Sequence, residues 1–126
     1  MFGPLGISFA SQVKANRTLY KWLKPVANWY ANLSGYRRMG LKYDDLLVEE
    51  RPDVERAVGR LTDREQYDRS YRFKRASQLS ILHVDLPKEQ WLKPSEDVRY
   101  LKPHVESVVE EDNERRAWDN MAVQRK

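Results

Sequence analysis

Prolines at positions 25, 52, 87, 94 and 103 punctuate a sequence that is otherwise suited to helix. Each fixes its own φ, lacks an N–H and pushes the preceding residue out of the α region, so it opens a helix or ends one. Strand is poorly supported between them. The chain has two Ile and two Thr, its 11 Val are scattered, and 13 Leu and 8 Ala stand among abundant Glu, Lys and Arg. These features predict an all-α fold, a small non-bundle array of short and medium helices.

The helix boundaries follow from local chemistry. A first helix is expected over about Ser8 to Lys24, bent or ended by Pro25, and a second from Pro25 to Leu33, closed by Ser34-Gly35. Asp44 to Glu50 should form a short helix with acids in its first turn, stopped near Arg51 by Pro52, and Asp53 to Arg60 another. Thr62-Asp63-Arg64-Glu65 has the pattern of a capping box, opening a helix to about His83. Pro87 to Trp91 suits one turn, and Ser95-Glu96-Asp97 another. Pro103 opens a last helix to about Met121, where Val105, Val108 and Val109 form the apolar patch. Glu111/Arg115 and Asp112/Arg116 are spaced there as ion pairs four apart.

Charge divides the chain more sharply than its net +4 suggests. Seven basic residues and no acid occupy the first 43 positions, whereas 16 basic and 19 acidic residues follow from Asp44 onward. The single domain, 1–126, thus has a basic N-terminal segment (1–43), a helical body (44–102) and a charged C-terminal helix (103–126). Lys14, Arg17, Lys21 and Lys24 recur at intervals of three and four, so they form one helical stripe, with Phe9, Val13, Tyr20, Leu23 and Ala27 beside it. An acid-free, basic, amphipathic head of this kind suits mitochondrial import and an anionic lipid surface; a solvated basic face is the plainer alternative.

The chemistry available to the chain is narrow. Without cysteine it forms no disulfide, thiolate nucleophile, zinc-thiolate site or iron–sulfur ligand set. His83 and His104 lack partners at ligand spacing, and no phosphate-binding glycine motif occurs. The uncharged runs Met1 to Val13 and Pro25 to Tyr36 fall short of the ~20 residues of a membrane-spanning helix. With 126 residues and 40% hydrophobic content, the core should be thin. The helix after Thr62 has Tyr67 and Tyr71 along one side and Phe73 and Ala76 nearly opposite, a pattern expected of an element clasped from two sides.

Five blocks then stand in order: Gly35-Tyr36-Arg37-Arg38-Met39-Gly40-Leu41-Lys42-Tyr43-Asp44-Asp45; Arg60-Leu61; Tyr67-Asp68-Arg69-Ser70-Tyr71-Arg72-Phe73-Lys74-Arg75-Ala76; Leu86-Pro87-Lys88-Glu89-Gln90-Trp91; and Glu96-Asp97-Val98-Arg99-Tyr100-Leu101-Lys102-Pro103. From about Val26 to Pro103 this succession resembles subunit 7, the ubiquinone-binding-protein-like subunit, of the mitochondrial cytochrome bc1 complex. The resemblance implies a non-catalytic, all-helical accessory protein of complex III, imported without cleavage and peripheral on the matrix side of the inner membrane. It would bind no cofactor of its own, haem and quinone belonging to partner subunits, with cardiolipin as a candidate lipid. Cytochrome b and the core proteins are the implied partners.

On that reading Lys14, Arg17, Lys21 and Lys24 face lipid phosphates, and Trp22, Trp29, Tyr30, Tyr36, Tyr67, Tyr71, Phe73 and Trp91 are candidates for partner contacts. Among Asp44, Asp45, Glu49 and Glu50, Glu50 is the candidate to relay matrix protons toward quinone reduction, against the simpler roles of helix capping or an ion pair. The alternative function is a small helical nucleic-acid binder using Arg64 to Arg75 with interleaved tyrosines. The acids Asp63, Glu65 and Asp68 oppose that reading.

Overall fold

The computed structural model describes residues 4–121, so residues 1–3 and 122–126 of the terminal segments lie outside the described residues. Among the described residues there are five α-helices and no strand: α1 (Ala10–Ala15), α2 (Arg17–Leu33), α3 (Pro52–Val58), α4 (Asp63–Leu82) and α5 (Lys102–Asp119). Three 3-10 turns, Tyr36–Met39, Tyr43–Leu46 and Lys88–Gln90, lie in the connections. No helix among them is long and apolar enough to cross a membrane.

The N-terminal break falls at Asn16 instead of Pro25. Asn16 is extended, with φ −96° and ψ 101°, and its side chain accepts from the amides of Thr18 and Leu19, capping α2. Pro25 sits inside α2, which continues to Leu33. The proline forfeits one backbone bond, to the carbonyl of Lys21, but both residues are exposed, so water can serve that carbonyl. Ser34-Gly35 closes α2 as expected, Gly35 adopting φ 81°. The helix expected over Asp44 to Glu50 contracts to the turn Tyr43–Leu46, because Leu47 is already extended at ψ 135°.

Thr62 and Glu65 form the capping box at the start of α4. His83 ends that helix in the left-handed region, φ 53°.

Two small apolar clusters close the fold. In the first, Val54 and Ala57 of α3, with Leu61, meet Leu101, Val105 and Val108, five of the six with no exposure at all. In the second, Tyr36, Leu41 and Ala76 pack with Ala31, Met39 and Phe73. The contact of α3 with α5 also redirects charge. Val105, Val108 and Asp112 share one face of α5, so packing the valines on α3 carries the next turn over two arginines. Asp112 therefore pairs with Arg56 and Glu111 with Arg60, the latter at 2.6 Å, in place of the expected pairs within α5.

Leu101→Ala should remove about 2–5 kcal/mol, because its side chain is fully buried where α5 begins and a cavity would remain. In urea unfolding followed by tryptophan fluorescence, the midpoint should fall sharply, whereas Leu82→Ala, at an exposed site, should scarcely move it.

Candidate functional site: an ionic clamp and an open helical face

Three aspartates carry the centre of the molecule. Asp44 Oδ2 accepts from the amides of Leu101 and Lys102 at 2.9 and 3.1 Å, capping α5 from a remote part of the chain, and Asp44 also pairs with Arg99. The acid thus does serve a helix start, but that of α5. Asp45 accepts two bonds from Arg72, at 2.6 and 2.9 Å, one from the Lys42 amide at 2.9 Å, and one from the Tyr100 hydroxyl. Arg69, only 2% exposed, donates to the Tyr100 hydroxyl at 2.7 Å, to Glu49 at 2.9 Å, and to Asp45 and the Asp44 carbonyl at 3.3 Å.

Asp97 is the third. It accepts from the Tyr36 hydroxyl at 2.6 Å, from Arg37 at 3.0 and 3.2 Å, and from the Tyr43 amide at 2.9 Å. Arg37 also reaches Asn32 at 3.1 Å, which ties the end of α2 to the same centre. Gly40 completes the clamp with φ 72°. A β-carbon there would stand 2.0 Å from the Arg75 guanidinium, which donates to the Gly40 carbonyl at 3.1 Å.

The electrostatics follow from this geometry. Burial pushes the Asp45 carboxyl upward, but bonds from Arg72, Tyr100 and the Lys42 amide outweigh it and hold the group below the usual carboxylate range. Burial similarly opposes the bonds from Tyr36, the Tyr43 amide and Arg37 at Asp97, which also ends low. Tyr36 and Tyr100 are each raised to about 12, by burial and then by the aspartates they bond.

The clamp fixes the base of α2 and leaves most of that helix open. Its main packing contacts are with α1 and the turn Tyr36–Met39, and none of its residues is buried. Arg17, Lys21 and Lys24 line one side of α2, whereas Lys14 sits on α1 across the break at extended Asn16, so the single expected stripe is divided; all four are exposed. Leu19, Trp22, Val26, Trp29 and Leu33 recur at three and four on the other side, with Tyr30 beside them; Trp22 is 71% exposed and Tyr30 68%.

The aromatic candidates occupy different settings. Trp22, Trp29, Tyr30, Tyr67 and Tyr71 are exposed. Tyr36 is buried in the clamp, Phe73 packs beside it, and the half-buried Trp91 donates its indole N–H to the Leu86 carbonyl at 2.7 Å. On α4, Phe73 and Ala76 therefore pack within the chain while Tyr67 and Tyr71 face outward. Glu50 is exposed on the turn before α3, beside Glu49 and Glu55 in an open depression.

The arginines of α4 are largely consumed internally. Arg69 and Arg72 serve Asp45, Arg75 serves Gly40, and Arg64 faces Asp68 at 3.8 Å. This arrangement leaves little of that block to meet a phosphate backbone, and it disfavours the nucleic-acid alternative. Sequence spacing could not show the role of Asp97, whose partners lie about 60 residues away.

A helical chain whose ionic residues lock its own interior, and whose aromatic residues stand open along one helix, has the form of an assembly subunit. The family model of the ubiquinol–cytochrome c reductase complex 14 kD subunit matches residues 17–116. Cytochrome b-c1 complex subunit 7 of Neurospora crassa is 47% identical over 116 residues, 92% of this chain and 94% of that protein. The mitochondrial subunit 7 of Saccharomyces cerevisiae is 43% identical over 105 residues, 83% of each chain, and the human one 42% over 98, 78% of this chain and 87% of that protein. The chain belongs to this family, and it is a non-catalytic accessory subunit of mitochondrial complex III.

Folded-state carboxyls held low, as at Asp45 and Asp97, stabilise the protein above the unfolded aspartate pKa of about 4, and that stability is lost as pH falls through the lower folded values. Tyrosines raised to about 12 act oppositely: their stabilisation is complete below about pH 10 and is lost between 10 and 12. Ultraviolet titration of phenolate should therefore show two late tyrosines, one disappearing in Tyr36→Phe and the other in Tyr100→Phe. Asp45→Ala, which takes its carboxylate from the half-buried Arg72 and one partner from the buried Arg69, should cost about 3–5 kcal/mol by urea unfolding.

Proposed function

We propose that this subunit lies peripherally on the matrix side of the inner membrane and stabilises cytochrome b within the assembled complex. The observation that carries the reading is the open aromatic face of α2, where Trp22, Trp29 and Tyr30 are each more than 60% exposed. A monomer rarely leaves so much contiguous apolar surface to water, so a partner is the natural cover. Cytochrome b and the core proteins are the proposed partners for this face and for Tyr67 and Tyr71, while Lys14, Arg17, Lys21 and Lys24 turn toward lipid phosphates. The apolar clusters are small, and binding energy available only to the folded chain adds to its stability. Assembly then adds to a fold that the clamp already holds.

Trp22→Asp with Trp29→Asp should reduce assembled complex and cytochrome b together, read by blue-native electrophoresis and haem b absorbance. The chain's own clamp should stay intact, since neither indole contributes to it. Normal complex levels would overturn the proposal. Within the same reading, Glu50 is the proposed acceptor of matrix protons on their way to quinone reduction: it is exposed, beside two other carboxylates, just beyond the clamp. Glu50→Gln should slow turnover and shift its pH profile in a complex assembled to normal levels, and an unchanged profile would dismiss the relay.

A further inference from the structure

The end of α2 and the segment 86–94, which contains the 3-10 turn Lys88–Gln90, border a second feature that the clamp does not require. A groove of about 650 Å³ runs between them, with Trp29, Leu33 and Trp91 forming its apolar lining and Arg38, Lys88 and Lys93 its cations; Glu89 is the single carboxylate on its wall. Arg38 lies over the Trp91 ring at 5.5 Å. Its nearest carboxylate, Asp85, is 3.9 Å away with half its side chain in solvent, and the Arg38 Nε is buried without an acceptor. Among the described residues neither Lys88 nor Lys93 enters an ion pair.

The walls are already set. The Leu86 amide donates to the Arg38 carbonyl at 3.2 Å, the Leu92 amide to the Arg37 carbonyl at 3.1 Å, and the Trp91 indole to the Leu86 carbonyl at 2.7 Å. A ligand entering here would therefore meet a preorganised surface and lose little binding energy to ordering it.

We propose that this groove binds one anionic phospholipid, its phosphate among Arg38, Lys88 and Lys93 and its acyl chains against Trp29, Leu33 and Trp91. Net positive charge selects an anion, and the guanidinium fork suits phosphate oxygens. The indoles give the apolar half of the argument: a free phosphate has no use for them, whereas an amphiphile needs both. Continuity supplies the direction. Trp29 and Leu33 belong at once to the groove and to the open face of α2, so acyl chains leaving the groove pass directly onto an apolar surface. An acidic peptide would satisfy the cations but gain nothing from that path. The site differs from the Lys14 to Lys24 stripe in residues and in kind, being a pocket for one molecule; it rests on the reading that the chain lies at a lipid surface.

The test uses the full chain, refolded and shown helical by circular dichroism, with dihexanoyl-phosphatidylglycerol kept monomeric and tryptophan fluorescence as readout. Saturable binding is expected, weakened about five-fold for each cation removed in Arg38→Gln and Lys93→Gln. Lys93 is exposed, so its variant keeps the test valid should Arg38→Gln perturb the fold. Lys21→Gln with Lys24→Gln should leave this binding unchanged. Equal affinity for dihexanoyl-phosphatidylcholine, equal affinity for inorganic phosphate, or tighter binding of polyglutamate would each overturn the proposal. Flotation with cardiolipin-containing vesicles separates the two readings. Vesicle binding without saturable binding of the monomeric lipid removes the groove alone, and monomeric binding without flotation removes the membrane reading alone.

Discussion

Asp44, Asp45 and Asp97 are the constraint on which the rest of the structure depends. Each is buried or nearly so, and each collects donors from segments far apart in the chain. A carboxylate taken out of water is tolerable only when charge and hydrogen bonds replace its hydration. Here arginines from α4 and the turn Tyr36–Met39, two tyrosine hydroxyls and four backbone amides do so. Leu101 of one apolar cluster and Tyr36 of the other each donate to this centre, and neither cluster is large. The ionic network links the two.

The acid-free head joins the acid-rich body through its arginines, while most of the clamp's ion pairs lie within the body. Arg37 of the head meets Asp97 of the body, and the aspartates that open the body meet Arg69, Arg72 and Arg99. Arg17, Lys21 and Lys24 stay outside on one side of α2, while Trp22, Trp29 and Tyr30 take the other. A subunit arranged in this way keeps its specificity within and leaves its adhesive surface for assembly.

Much of the helical framework was legible in the residues. The Thr62–Glu65 box, the prolines at 52 and 103 and the Ser34-Gly35 closure each act through a local mechanism, so local reading found them. Pro25 does not end α2, because a proline's penalty depends on whether the freed carbonyl can reach water. Asn16 was missed although its residue type is a good cap. The pairings of Glu111 and Asp112 were misassigned for another reason: spacing along one helix favours neighbours four apart, but tertiary packing on α3 brought Arg60 and Arg56 closer. The Asp97 site was invisible, since nothing in a sequence marks which distant tyrosine and arginine a lone aspartate will meet. The amphipathic division of α2 was readable as period; its lack of burial was not.

The separation between clamp partners has a kinetic meaning. Tyr36 and Arg37 find Asp97 across about 60 residues, and Asp44 finds Leu101 and Lys102 across nearly as many. Closing such loops costs entropy before any contact rewards it. A chain emerging N-terminus first therefore has no settled place for residues 35–46 until the segment around residue 100 arrives. Until then Tyr36 and Arg37 lack their acceptor, and the last quarter of the chain decides when residues 35–46 acquire a settled structure.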